Sequence, residues 1–102
     1  MKRGERFSHL VSLELRGAIV ARNWTVKDVA ERIGIHYTGL YRYFSGTRSL
    51  PTDVFAGACE VIGADPTDLV GRAYARFTAE LIPYQPVAAE VEAGAEQDLD
   101  LP

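Results

Sequence analysis

The stretch Thr25–Gly46, TVKDVAERIGIHYTGLYRYFSG, limits what this chain can fold into more than any other. It reads as two short helices broken by one glycine. Thr25 is placed to cap the first, because its hydroxyl can accept an orphan backbone N–H of the opening turn. Val29, Ala30 and Ile33 recur at the spacing of an inward helix face, and the small Ala30 lets a second helix cross closely there. Gly34 supplies the backbone freedom of a sharp turn. Ile35 re-enters the core after it, Leu40 anchors the second helix with Tyr43 and Phe44 one turn on, and Gly46 stops it.

Ala30, Gly34, Ile35, Leu40 and Gly46 also carry a resemblance. They stand where the Cro/C1-type helix-turn-helix family (phage-repressor-like, or XRE) has its alanine, turn glycine, buried aliphatics and terminal glycine. The likeness runs on through Arg48 and Pro51 to Gly63-Ala64-Asp65-Pro66, similar to the end of that family's fourth helix and the start of its fifth, and covers about two thirds of the chain. It implies an all-α fold: a compact five-helix, lambda-repressor-like domain over residues 1–82 that binds double-stranded DNA.

Charge first speaks against a DNA partner, since the formal net charge is -3. The charge is unevenly placed, however. From Pro83 onward lie Glu90, Glu92, Glu96, Asp98 and Asp100 with no Lys or Arg, leaving 11 basic residues against nine acids, a net of +2, before that point. Phosphate responds to the local field of one face rather than to the total. A length of 102 residues suits one domain with a modest core, and 47% apolar with 25% charged residues excludes chain-wide disorder. No apolar run approaches the ~20 residues of a membrane span, and Met1-Lys2-Arg3-Gly4-Glu5-Arg6 leads into no signal-peptide core. A cytoplasmic protein without membrane contact is expected, and the lone Cys59 fits a reducing compartment. Enzyme chemistry has little footing. His9 and His36 are isolated, with no spaced ligand set for zinc, no glycine-rich phosphate loop and no nucleophile–base pairing. No catalytic residue, metal or cofactor is expected.

Lys2, Arg3 and Arg6 precede the first helix, either as a frayed, solvated terminus or as an arm that touches DNA. That helix is expected from Phe7 to Arg22, burying Val11, Leu15, Ala18, Ile19 and Arg22 on one face. Trp24 is expected to pack under the start of the second helix, Val26 to Ile33. The family commonly places a phosphate-holding glutamine directly after the N-cap, where this chain has Val26; Lys27 or the helix N-terminus itself is the candidate replacement. Many members also pair an Arg of helix 1 with a Glu of helix 3. The matching Ile19 and Phe44 are expected to meet as an apolar substitute, which avoids the desolvation of a buried ion pair.

The third helix, Tyr37 to Ser45, is the one the resemblance places in the major groove. Leu40, Phe44 and Tyr43 face inward, whereas Tyr37, Thr38, Tyr41 and Arg42 form the base-contacting set. Arg42 can fork onto guanine O6 and N7. Thr38 offers a methyl to thymine or a hydroxyl to a base or phosphate, and each tyrosine gives apolar contact plus one hydroxyl. Two exposed tyrosines flanking an Arg and a Thr on one short helix suggest a partner surface. The phosphate-contacting set is Thr25, Lys27, His36, Ser45, Thr47 and Arg48, with His36 read as either cap-like or phosphate-facing. Gly39 either permits close approach or is a tolerated gap costing about 1 kcal/mol relative to Ala.

The fourth helix, near Thr52 to Ile62, is expected to bury Val54, Phe55, Ala58, Val61 and Ile62, with Cys59 a small apolar side chain. The fifth opens on Asp65 as N-cap and Pro66 at the first helical position. Its face Leu69, Ala73, Phe77, Leu81 runs for about four turns. Two turns suffice to close a five-helix core, so Tyr74, Phe77 and Leu81 are expected to form a homodimer interface. The alternative is that Phe77 seals the chain's own core. Residues 83–102 read as a flexible acidic tail, a possible site for a protein partner.

The expected function is a transcriptional regulator, a repressor of phage or mobile-element type, that binds an inverted-repeat (palindromic) operator as a dimer. With no second domain after the five helices, cleavage-regulated control is not expected. Two other readings stand beside it: the antitoxin of a toxin–antitoxin pair that represses its own operon, and a protein-interaction adaptor that has lost DNA binding.

Overall fold

Capping sets the helix boundaries. The Thr25 hydroxyl accepts the Asp28 N–H at 3.0 Å, and the Asp65 carboxylate accepts the Thr67 N–H at 2.9 Å. The computed structural model describes residues 2–81; Met1, Ile82 and the segment from Pro83, including the expected tail, lie outside them. Five helices follow in order: α1 Arg3–Ala21, α2 Val26–Ile33, α3 Tyr37–Phe44, α4 Thr52–Ile62 and α5 Pro66–Ala79, with no strand among the described residues. The fold is the expected all-α one. None of these helices is long and apolar enough to cross a membrane.

The first helix begins at Arg3 rather than Phe7. The Glu5 carboxylate accepts the Lys2 N–H at 3.0 Å and so satisfies one donor of the first turn, a polar signal that apolar periodicity does not carry. At its other end Asn23 takes the left-handed conformation (φ 62°), and Trp24 and Asn23 donate to the Ile19 and Val20 carbonyls, each at 3.0 Å. That pair of bonds closes the helix and turns the chain toward α2.

The central helix is α1, which packs against each of the other four. Its Leu10, Leu15 and Ile19, with Leu40 of α3, are fully buried, each worth about 1.5–3 kcal/mol. Ile19 and Phe44 are both buried in the same core, in keeping with the apolar substitution expected for the family's ion pair. Arg22, expected on the inward face, is instead exposed as the helix cap, and Leu10 and Ser12 are buried. Trp24 is half-buried against the core, and the Arg32 guanidinium of the last turn of α2 lies 5.3 Å from its ring. Cys59 is buried, which pushes its thiol pKa up and leaves it an inert apolar filler.

The extra turn of α1 changes the account of α5. Leu69 and Ala73 are buried as expected, but Phe77 is half-buried against Phe7, ring centroids 5.3 Å apart, with the Arg3 guanidinium 4.3 Å from its ring. Arg6 donates twice to Glu80, at 2.6 and 3.0 Å. The expectation that only two turns of α5 close the core is therefore corrected: α1 and α5 pair along their length, and Phe77 seals part of the chain's own structure. Arg3 and Arg6 are likewise neither a frayed end nor a DNA arm, since both are engaged with α5. Tyr74 and Leu81 remain exposed, at 58% and 50%.

Candidate nucleic-acid interface

The turn between α2 and α3 is built by Gly34. Its φ of 81° lets Gly34 and Ile35 donate back to the Glu31 and Ala30 carbonyls at 3.2 and 3.0 Å. Ile35 is thereby directed inward beside the core, and α3 starts at a sharp angle. His36 caps it, its Nδ1 accepting the Thr38 N–H at 3.3 Å. The Thr38 hydroxyl lies 2.9 Å from the same nitrogen. Since Nδ1 accepts from the backbone, its lone pair faces Thr38, and the Nε2 side of the ring is left for an external acceptor. Of the two readings of His36, the cap is realised.

On α3, Leu40 and Phe44 are buried, whereas Tyr37, Thr38, Tyr41 and Arg42 are exposed on the side away from the core. The aromatic rings support one another. His36 stacks on Tyr37 at 4.5 Å, Tyr37 meets Tyr41 edge-on at 6.1 Å, and Tyr41 meets Phe44 at 6.2 Å. Lys27 from the first turn of α2 places its ammonium 5.8 Å from the Tyr37 ring, which holds a positive charge beside this face. Arg42 and Arg48 make no ion pair among the described residues, so neither charge is neutralised locally.

The expected phosphate set is less uniform. Thr25 accepts a cap bond, which leaves its hydroxyl proton free to donate outward. Val26, at the position of the family's glutamine, is 9% exposed and belongs to the core, so it offers a phosphate nothing. Ser45 donates to the Arg42 carbonyl at 3.1 Å, lies 2.8 Å from the Thr47 hydroxyl and accepts the Thr47 N–H at 3.4 Å. With the Ser45 proton given to Arg42, the Thr47 hydroxyl is the donor of that pair. Both side chains brace the loop internally, and Arg48 is its free donor group. Gly46 carries the turn at φ 80°, with Thr47 and Arg48 donating to the Arg42 carbonyl at 3.0 and 3.2 Å.

Periodicity missed His9 and Ser12. Ser12 falls on the same face as Leu15 and Ile19, and a buried hydroxyl must find a partner; that requirement was its legible signal. Its hydroxyl lies 2.7 Å from the His9 carbonyl of its own helix and 2.8 Å from the Tyr43 carbonyl, two acceptors for one proton, and His9 Nε2 lies 2.8 Å from the Phe44 carbonyl. Among the described residues no group of His, Cys, Asp or Glu is placed to hold a metal ion.

Comparison with known proteins agrees with this architecture. Two crystal structures of the clp gene regulator ClgR from Corynebacterium glutamicum share the fold. One has a TM-score of 0.67 at 17% identity, covering 74% of this chain and 80% of that one. The other has a TM-score of 0.64 at 18% identity, covering 69% and 91%. No curated protein sequence matches. A family model described as a helix-turn-helix domain matches residues 12–70, more than half of the chain, from the middle of α1 to the first turns of α5. The chain belongs to this family of helix-turn-helix domains.

Proposed function

We propose that this protein is a sequence-specific transcriptional regulator of the Cro/C1 type, which sets α3 in the major groove of double-stranded DNA and represses by occluding a promoter. Membership of the helix-turn-helix family supports a DNA-binding regulator, and the fold shared with a protein described as a gene regulator is in keeping with it. The observation that carries the finer reading is the exposed face of α3, where Arg42 stands without an ion-pair partner among the described residues beside Tyr37, Thr38 and Tyr41. A guanidinium on a rigid helix can fork onto guanine. Thr25, Lys27 and Arg48 flank that face and would fix its register on phosphate.

The proposed assembly is a homodimer on a palindrome, resting on Tyr74 of α5 and Leu81 just past its end, both exposed apolar groups. A two-fold pairing there would set two copies of α3 about one DNA turn, ~34 Å, apart. The test is selection of bound sequences from a random DNA pool, followed by titration at two salt concentrations. An inverted-repeat consensus bound with a steep salt dependence is expected. No enrichment, or binding indifferent to salt, would refute the reading. Sedimentation at micromolar concentration, with Tyr74→Asp and Leu81→Asp as controls, decides the assembly: variants that sediment like wild type place the interface elsewhere.

A further inference from the structure

Ser8, His9 and Ser12 of α1 lie behind the proposed DNA-contacting face, yet all three hold the segment that follows α3. Of the last two carbonyls of α3, that of Tyr43 accepts the Gly46 N–H at 3.1 Å and that of Phe44 is left an orphan of the helix end. The Phe44 carbonyl lies 2.8 Å from His9 Nε2, and that of Tyr43 lies 2.8 Å from the buried Ser12 hydroxyl, whose one proton it shares with the His9 carbonyl at 2.7 Å. At the far end of the loop the Leu50 N–H donates to the Ser8 hydroxyl at 2.8 Å. Between these points Gly46 rests on the His9 ring so closely that an added Cβ would stand 3.0 Å from Nδ1. The Ser45 hydroxyl and the Thr47 and Arg48 N–H groups bond back to the Arg42 carbonyl of α3, and α1 adds the ties that join the loop to a second helix.

Two neighbours flank the ring nitrogens. A carbonyl only accepts, so Nε2 carries a proton toward Phe44. On the other side of the ring Arg6 Nη1 lies 3.5 Å from Nδ1. That link is the weakest of the set by length. Arg6 is held in turn by its two bonds to Glu80 just past α5.

We infer that His9 is a positioning residue for DNA binding, fixing the 45–50 loop against the end of α3 so that Arg48 meets the backbone in register. The inference rests on the proposed DNA-binding role. Loops with few buried contacts open easily unless tied at their ends, and here the tie is a single imidazole with a serine on either side in sequence.

Amide hydrogen exchange of the free protein tests the tie without DNA. In His9→Ala the amides of Ser45, Gly46, Thr47 and Arg48, all hydrogen-bonded to α3 carbonyls, should exchange roughly two- to tenfold faster, the range of one lost hydrogen bond. The α2 amides should keep their rates. His9→Gln, which returns an N–H toward Phe44, should recover part of the protection. In parallel, His9→Ala should weaken all DNA sequences alike and leave the base preference intact. Unchanged loop exchange, or equal acceleration in α2, would overturn the inference. A responsive loop in a wild-type protein that binds no DNA would keep the positioning of the loop and refute its DNA-binding role.

Discussion

Gly46→Ala separates two costs that share one position. The first is conformational: Gly46 sits at φ 80°, and a left-handed backbone costs a non-glycine residue about 1–2 kcal/mol. The second is steric, because the new Cβ would lie 3.0–3.2 Å from three atoms of the His9 ring. A half-buried ring pinned to the Phe44 carbonyl has little room to retreat without losing that bond, worth about 0.5–1.5 kcal/mol. The sum is about 1.5–3.5 kcal/mol. Gly34→Ala is the internal control, since Gly34 has nearly the same φ, 81°, with nothing within 4 Å of its Cβ position. It should cost the conformational share alone. Urea unfolding of both variants, in wild-type and His9→Ala backgrounds, reads the difference. In the His9→Ala background the excess of Gly46→Ala over Gly34→Ala should vanish. An excess that persists without the imidazole, or none at the start, would refute the assignment of His9 as the neighbour that makes Gly46 special.

Arg42→Ala should relax preference at one base pair at a cost of about 1–3 kcal/mol, whereas Arg48→Ala should weaken all sequences alike and lower the salt slope by about one; binding-site selection and salt titration distinguish them. Gly39→Ala should stabilise α3 by up to about 1 kcal/mol, since its Cβ would meet only Ile35 Cδ1 at 3.8 Å, and loss of DNA affinity in a stabilised variant would assign the glycine to close approach. The Arg6 guanidinium hydrogen-bonds Glu80 and holds its carboxyl below the ordinary carboxylate range. A depressed folded pKa contributes stability above the unfolded value and loses it as pH falls through the folded one. The melting-temperature gap between wild type and Glu80→Gln should therefore be present at neutral pH and close in acid, and a gap that widens in acid would contradict the pairing. Truncation after Leu81 should leave the melting temperature nearly unchanged, because the core described is closed by residues before it, and a marked loss would show that later residues pack on it.

The sequence by itself determined what depends on neighbours along the chain. Thr25 and Asp65 as caps, Gly34 and Gly46 as left-handed turns, and the limits of α2 and α4 follow from residue type and spacing, because capping and turn chemistry act within a few residues. The helix-turn-helix and its outward face, Tyr37, Thr38, Tyr41 and Arg42, were legible for the same reason: one apolar stripe fixes where the other side of a helix points. What only the tertiary structure decided depends on residues far apart in sequence. Phe7 and Arg3 cover Phe77, and Arg6 reaches Glu80, since α1 is a turn longer than its apolar pattern implies. That the Ser45 and Thr47 hydroxyls meet each other and the Arg42 carbonyl depends on how the loop folds back on the end of α3. His9, isolated in sequence, meets Phe44 35 residues away, because only the packing of α1 against α3 brings an imidazole N–H to an orphan carbonyl.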